Sequence, residues 1–388
     1  MTIRGKACIV GAYEHPTRKA PDKTVAQLHA ESARGALADA GLSLKDVDGY
    51  FCASDAPGLG ALSMVDYLGL NLRHVDTTET GGSSYIVHVS HAAQAIAAGK
   101  CNIALITLAG RTRSEAQGGT VPRNWGPNIP DSPFEAPFGT VTVNSYALVA
   151  ARHMHEFGTT SEQLAWIKVA ASTHAQYNKN AMLRDVYTVE DVVNSPMISD
   201  PLHRLDCCVV TDGGGALIVT RPEIARELKR PLVTVRGAGE AIKGQDGGRI
   251  DLSYTAAARS GPIAFEEAGV KPGDIDYASI YDSFTITVLM QLEDLGFCEK
   301  GKGGRFVADG NLIAGQGKLP FNTDGGGLCN NHPANRGGMT KVIEAVRQLR
   351  GEAHPAVQVK DCRLAVAQGI GGFMGARHGS GTLILERS

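Results

Sequence analysis

The sequence predicts a layered α/β fold built from two similar halves. Short apolar runs such as KACIVGA and ALIVTR alternate with longer segments whose apolar residues recur every three or four positions. This is the pattern of strands alternating with helices. In addition, residues 36–55 (ALADAGLSLKDVDGYFCASD) resemble residues 264–283 (AFEEAGVKPGDIDYASIYDS). A helix, a glycine turn and a strand that recur in the second half indicate a duplicated unit.

Each predicted strand is a short apolar run bounded by glycine, aspartate or another turn residue. The strands are predicted within residues 6–12, 47–54, 102–110, 216–221, 231–239, 275–283, 363–372 and 381–387. The helices between them are predicted within residues 24–41, 85–99, 284–296 and 338–350, where the apolar spacing is helical. Strands separated by helices favour stacked α/β layers over a sandwich or a helical bundle.

One long segment interrupts this alternation. Residues 111–140 are rich in proline, glycine and polar residues, and residues 141–206 have mainly helical spacing. We therefore expect a first half at 1–110 and 207–230, an inserted loop or lid domain at 111–206, and a second half at 231–388. An arm that packs against a neighbouring subunit is the alternative interpretation of the insertion.

Composition and charge exclude several classes of protein. Of the 388 residues, 43% are hydrophobic and the net charge is −2, so a large core is possible but no basic surface field is expected. Nucleic acid and anionic membranes are therefore not expected as main partners. The eight cysteines show no CxxC pair and no zinc spacing, which favours reduced thiols, no metal site and a cytoplasmic location.

Two turns before helices carry groups that suit catalysis. Gly82 and Ser83 lie where a strand-to-helix turn would place backbone N–H groups and a small side chain at a helix start, a site for a nucleophile or an anion. Simple helix capping is the alternative. His332 lies in a glycine-rich Asn-His-Pro turn, where it could act as a general acid or base or donate to an oxyanion. It could also merely brace the loop.

Two further segments end predicted strands. Tyr281-Asp282-Ser283-Phe284 follows the second copy of the repeat. The tyrosine could act as an acid or base if its surroundings tune it, whereas Asp282 and Ser283 could cap the next helix. The last turn, from Gln368 to Phe373 and including Gly369 and Gly371, could offer backbone N–H groups to the same site.

These four segments, in this order on a duplicated α/β chain, resemble the thiolase superfamily, and most of all its sterol-carrier and lipid-transfer type. The resemblance spans essentially the whole chain and includes the turn Asp212–Gly215. It implies two βαβαβαββ halves that form a five-layered α-β-α-β-α core with an inserted loop domain. It also implies a role in lipid metabolism and a homodimer.

The chain departs from ordinary thiolases at the nucleophile. Where the family has a reactive cysteine, this chain has Gly82 or Ser83, depending on a one-residue gap. Tyr281 replaces the histidine of a His-Asp-Cys-Phe motif, and Gly369 stands where many thiolases have a second cysteine. Only His332 is retained. Because a serine hydroxyl without an evident base is a poor nucleophile, the pattern disfavours an acyl-enzyme.

The resemblance extends to lipid-transfer-type aldolases that shorten steroid side chains. It implies retro-aldol cleavage of a 3-hydroxyacyl-CoA, with Tyr281 taking the β-hydroxyl proton. His332 and the backbone near Gly82, Gly369 and Gly371 would hold the thioester oxygen. Coenzyme A would enter only as part of the substrate, with no covalently bound cofactor. A separate small subunit with a zinc ribbon and an oligonucleotide-binding-type fold is a possible partner.

Two other functions stay open from the sequence. One is an acyltransferase of the acetyl-CoA acetyltransferase type that uses another nucleophile, such as Ser83 or Cys329. The other is a non-catalytic subunit that keeps the fold and binds coenzyme A, because fold alone does not determine function.

Overall fold

The computed structural model of the chain describes residues 2–118 and 136–388. Its first half comprises β1 (Cys8–Glu14), α1 (Val25–Ala40), β2 (Gly49–Phe51), α2 (Ala61–Leu68), β3 (His74–Asp76), α3 (Ser84–Ala97) and β4 (Ile103–Arg111). An insertion follows, with α4 (Thr142–Phe157), α5 (Ser161–Ala175), α6 (Val189–Val193), β5 (Met197–Ser199) and β6 (Leu202–His203). Residues 119–135 of the predicted insertion lie outside the described residues.

The chain then completes the first half and forms the second. These elements are β7 (Asp212–Thr220), α7 (Pro222–Glu227), β8 (Val233–Lys243), α8 (Ala257–Ala268), β9 (Tyr277–Ile280), α9 (Thr285–Asp294), α10 (Gly303–Val307), α11 (Gly338–Arg350), β10 (Leu364–Gly372) and β11 (His378–Arg387). Across the described ranges, no helix has both the length and the apolar character that crossing a bilayer requires.

Nine strands form one hydrogen-bonded network in the order β3-β2-β4-β7-β1-β8-β11-β10-β9. The first half contributes the first five strands and the second half the other four. The halves join where β1 pairs antiparallel with β8, through Cys8 with Thr234 and Ile9 with Val233. The strands of the two halves are thus linked through this short pairing, and the α/β class is confirmed.

Helices cover and separate the strands of the two halves. Helix α1 packs on β1, β4 and β7, and helix α8 packs on β8 and β11. Helices α3 and α11 contact each other and strands of both halves. The two central helices therefore lie between the two sets of strands, which gives the five-layered order that the resemblance implies.

The second half differs from the first at one strand. Its third strand is reduced to a single parallel bridge between Phe321 and Ala278. The Asn322 side chain takes over part of the pairing, since its Oδ1 accepts from the Ile280 N–H at 2.9 Å and its Nδ2 donates to the Ile280 carbonyl at 2.8 Å. A side chain here satisfies a strand end that a full partner strand would otherwise cover.

The repeated aspartates perform the same task in both halves. Asp48 accepts from the N–H groups of Asn102 and Ile103 at 2.7 and 2.8 Å, at the start of β4. Asp276 accepts from Arg363 and Leu364 at 2.8 and 2.9 Å, at the start of β10. Each carboxylate thus fastens the neighbouring parallel strand, which explains why the repeat is visible in the sequence.

An ion-pair cluster ties the edge of the sheet to the second half. His91 on α3 lies 2.8 Å from Asp76 at the end of β3 and 3.1 Å from Glu240 on β8. The hydrogen bond to Asp76, followed by that to Glu240, raises the pKa of His91 to about 9. Because the folded state binds this proton more tightly, the stabilisation is present below the ordinary histidine pKa and is lost as pH rises through about 9.

We therefore expect His91→Gln to lower the free energy of unfolding at pH 5.5 by about 1 kcal/mol, a figure that allows for solvent screening of a half-buried group. At pH 10 the substitution should have little effect. Urea unfolding at both pH values measures this. The matched control is His155→Gln, at an exposed position of α4. An equal loss of unfolding free energy for His91→Gln at both pH values would contradict a stabilising role of the protonated His91.

Candidate active site

A cavity of about 810 Å³ opens where elements of both halves meet. Its walls include Gly82 before α3, Tyr281 after β9, His332 before α11 and Gly371 near the end of β10. Residues from four segments that are distant in sequence therefore converge on one space. The lining mixes apolar residues with polar and charged ones, among them Glu79, Arg336 and Arg377. A cavity of this size is typical of a small-molecule site.

Tyr281 and His332 form the central pair of this cavity. The Tyr281 Oη lies 2.9 Å from His332 Nε2, and the two rings meet edge to face at 76°. Both side chains are buried. The Tyr281 main chain is held on both sides, because its N–H donates to the Gln368 carbonyl at 3.0 Å and its carbonyl accepts from Gln291 Nε2 at 2.7 Å.

The surroundings keep both members of this pair neutral. Burial, with a smaller contribution from the Lys341 ammonium, lowers the pKa of His332 to about 3. Burial, together with nearby Tyr146 and Cys208, holds the pKa of Tyr281 well above its ordinary value. At physiological pH the pair is therefore a phenol beside an uncharged imidazole, a combination that can pass one proton between its two members.

A third residue, Cys208, lies beside this pair, and no sequence pattern predicts it. Cys208 lines the cavity, and its Sγ lies 3.5 Å from His332 Nδ1. Burial raises the pKa of this thiol. A neutral imidazole that accepts from Tyr281 at Nε2 carries its hydrogen on Nδ1, so the Cys208 sulfur accepts from Nδ1. The Cys208 N–H donates to the Ser283 carbonyl at 2.9 Å. Adjacent cysteines without a spacing pattern offer no rule by which a sequence could identify one of them.

A buried ion pair joins the segments that form the candidate site. Asp282 and Lys341 lie 2.8 Å apart, and each side chain is 1% exposed. Asp282 also accepts from the N–H groups of Gly327 and Leu328 at 2.8 and 3.1 Å. The carboxylate thus joins the segment of Tyr281, the turn before His332 and helix α11, a different role from the predicted helix cap.

Gly82, and not Ser83, faces the cavity. A Cβ atom built on Gly82 would overlap Tyr281 Oη and the Ile370 carbonyl oxygen. Tyr281 therefore occupies the space into which a side chain at position 82 would project. The Ser83 hydroxyl is buried and donates to the Thr80 carbonyl at 2.7 Å, and Ser83 is not among the residues that line the cavity.

The remaining predicted residues divide between the wall and the core. Gly371 lines the cavity, and a Cβ on it would lie 2.7 Å from the Gly82 nitrogen, so the two backbones touch. Gly369 packs against Ile86 behind the wall. Cys329 is fully buried away from the cavity lining, and burial raises the pKa of its thiol.

Comparisons with known proteins indicate the family of the chain. Residues 239–387 match the family described as "Thiolase C-terminal domain-like". The chain is 33% identical over 391 residues to a 17-hydroxy-3-oxo-4-pregnene-20-carboxyl-CoA lyase of Mycobacterium tuberculosis, with 95% of this chain and 98% of the relative covered. It is 32% identical over 379 residues to an acetyl-CoA acetyltransferase of Methanothermobacter thermautotrophicus, with 95% and 96% covered.

A solved structure gives a similar result. The structure described as "Ltp2-ChsH2(DUF35) aldolase" superposes with a TM-score of 0.89 at 32% identity. The match covers 99% of this chain and 98% of that chain. The likeness thus extends over both halves and the insertion, as far as the chain is described.

Breaking the buried ion pair should destabilise the site. We expect Lys341→Met to cost about 3–5 kcal/mol of unfolding free energy, because it leaves the Asp282 carboxylate buried without its partner. Removing the ammonium should also raise the pKa of His332, which Lys341 lowers. Urea unfolding measures the first effect and NMR titration the second.

The matched control is the double variant Asp282→Asn/Lys341→Met, which removes both charges. It should recover part of the lost stability. A double variant that loses as much as the sum of the two single variants would contradict the coupling.

Proposed function

This chain belongs to the thiolase superfamily, and on that premise we propose that it cleaves a 3-hydroxyacyl-CoA by a retro-aldol reaction without an acyl-enzyme. The observation that carries the proposal is the position of Tyr281. Its phenol fills the space next to Gly82 and contacts His332 at 2.9 Å. The pocket thus offers a proton-transfer pair where a thiolase would need a nucleophile.

In the proposed reaction, Tyr281 Oη takes the proton of the β-hydroxyl group while its own proton passes to His332 Nε2. The Cα–Cβ bond breaks, and its electron pair moves into the thioester as an enolate. The β-carbon leaves as an aldehyde or ketone. Because His332 holds a proton weakly, the proton returns through Tyr281 and is delivered to the α-carbon, which releases a shorter acyl-CoA.

The adjoining backbones of Gly82 and Gly371 are suited to hold the thioester oxygen. They lie in contact on the cavity wall, where a Cβ on Gly82 would meet Tyr281 and a Cβ on Gly371 would meet the Thr80 carbonyl. Backbone N–H groups stabilise a developing oxyanion without rearrangement, because they are fixed before the reaction. We propose that the backbone of Gly82 and Gly371 binds the enolate oxygen. Tyr281 and His332 then carry out the proton transfer.

Cys208 gives a second candidate function some support. Its thiol lines the cavity 3.5 Å from His332, so a cysteine–histidine nucleophile of an acyltransferase is conceivable in geometric terms. The raised pKa of the thiol works against it. The lyase proposal therefore assigns Cys208 the role of orienting the His332 ring.

The same proposal includes partners. We infer that the chain acts on acyl-CoA as a cytoplasmic homodimer. The described part of the insertion that was predicted at 111–206 lines the cavity through Thr142, Val143 and Tyr146, and we propose that this part serves as a lid. The similar aldolase structure, Ltp2-ChsH2(DUF35), is named for two components. By analogy, a small accessory subunit is proposed for this chain as well.

We expect Tyr281→Phe to reduce turnover of a 3-hydroxyacyl-CoA by at least about a hundredfold, because the proton acceptor is removed while the ring still fills its site. Release of the carbonyl product and of the shorter acyl-CoA is measured by chromatography. The thermal midpoint of unfolding should change little. Full activity of this variant would refute the role of Tyr281.

Intact-mass spectrometry under turnover serves as the matching control. The lyase should show no acyl adduct, whereas a stable adduct that disappears in Cys208→Ala would support the acyltransferase instead. If acyl-CoA binds but no substrate is turned over, a non-catalytic subunit is supported.

The close contact at Gly82 yields a separate prediction. Gly82→Ala should reduce kcat/KM by about a hundredfold or more, since the new methyl group displaces the Tyr281 hydroxyl from its productive position. Ser83→Ala should stay within a few-fold of the unmodified chain, because the Ser83 hydroxyl only donates to Thr80. Steady-state kinetics of the two variants tests this. A larger loss of kcat/KM for Ser83→Ala than for Gly82→Ala would identify Ser83 as the reacting group.

A further inference from the structure

Arg336 lines the same cavity, and the proposed reaction gives it no role. It lies four residues after His332, in the loop that leads to α11. Its Nη1 donates to Glu79 Oε1 at 2.5 Å and to the Gly81 carbonyl at 3.2 Å, and its Nη2 donates to Ser54 Oγ at 2.8 Å. One side chain of the second half is thus bound to two separate segments of the first half.

Glu79 holds the other side of this contact. Its Oε1 also accepts from the Gly81 N–H at 2.7 Å, and its Oε2 accepts from the Ser54 N–H at 2.9 Å. Burial acts to raise the pKa of Glu79, but the hydrogen bond and charge of Arg336, together with Ser54, lower it below its ordinary value. The carboxylate is therefore charged at physiological pH, and its bond to the guanidinium is of the strong, charge-assisted kind.

The turn that this ion pair holds is the one that carries Gly82. Gly81 has a left-handed backbone with φ +67°, and its carbonyl also accepts from Ser84 Oγ at 2.8 Å. Gly82 follows directly, and its nitrogen would lie 2.7 Å from a Cβ on Gly371. The pair therefore determines where the backbone proposed to hold the enolate oxygen lies.

The chain neighbours of Arg336 contact the proton-transfer pair. The Asn335 carbonyl accepts from Tyr281 Oη at 3.3 Å. A Cβ on Gly337 would lie 3.1 Å from the Tyr281 ring and 3.2 Å from the His332 ring, so this backbone packs against both rings. Arg336 thus lies between two residues that support the pair, and its anchoring fixes their distance from the turn of Gly82.

We propose that Arg336 is a positioning residue that keeps the enolate-binding backbone and the proton-transfer pair at one fixed spacing. The inference rests on the proposed lyase function and adds a residue to it. Bond cleavage needs both parts at once, because the thioester oxygen must be held while Tyr281 takes the proton. A displacement of about 1 Å between such groups can cost about a hundredfold in rate.

The test uses 3-hydroxydecanoyl-CoA, whose cleavage would give octanal and acetyl-CoA. We expect Arg336→Met to lower kcat by about ten- to a hundredfold, while KM changes by less than about threefold. Arg336→Lys, which keeps a charge beside Glu79 but has a single donor nitrogen, should lose less. The matched control is Arg221→Met, at a half-exposed arginine 3.9 Å from Glu223, which should keep the kcat of the unmodified chain.

A second measurement follows enolate formation without bond cleavage. The α-hydrogens of acetyl-CoA and propionyl-CoA should exchange for deuterium in D₂O, which proton NMR detects. Arg336→Met should slow this exchange by a factor similar to its loss of kcat. The double variant Glu79→Gln/Arg336→Met should lose little more than Arg336→Met alone, because the two side chains act as one unit.

Other results would overturn the inference. A rise in KM with unchanged kcat would place Arg336 on the substrate, and a double variant whose loss equals the product of the single losses would show two independent roles. If the unmodified chain exchanges α-hydrogens but cleaves no 3-hydroxydecanoyl-CoA, the result counts against the lyase function, and the exchange rates alone decide the role of Arg336. The absence of both reactions would refute both proposals.

Discussion

The site depends on one buried ion pair. Asp282 follows Tyr281 in the chain, and its carboxylate binds Lys341 on α11 and two N–H groups of the turn that leads to His332. Without this charge, three segments would have no common anchor. Because all the partners are buried, the pair fixes positions at the scale of hydrogen-bond lengths, which the proposed proton transfer between Tyr281 and His332 requires.

Much of the fold could be predicted because local patterns encode it. The repeat is visible since Asp48 and Asp276 must each fasten a neighbouring strand, so the same residue recurs at the same place. Strand and helix periodicities gave the α/β class, and the resemblance gave the layers. The lost third strand of the second half could not be foreseen, because the Asn322 side chain replaces it through contacts distant in sequence.

The candidate site was predictable in part. The segments of Gly82, Tyr281, His332 and Gly371 carry motifs, and all four residues meet at one cavity. Cys208 carries no motif, and only the folded structure places it beside His332. Asp282 resembles a helix cap in the sequence, and only the packing of α11 reveals its ion pair. Local sequence reports a residue's neighbours along the chain, not those across a cavity.

The contact between Gly82 and Tyr281 has an evolutionary consequence. A thiol at position 82 and a tyrosine at position 281 would compete for the same volume. A cysteine gained first would collide with the ring, and a smaller residue gained first would leave a pocket with neither nucleophile nor phenol. Conversion between thiol chemistry and phenol chemistry in this protein therefore requires two coordinated substitutions. Either substitution alone would leave the site without a working nucleophile or a working phenol.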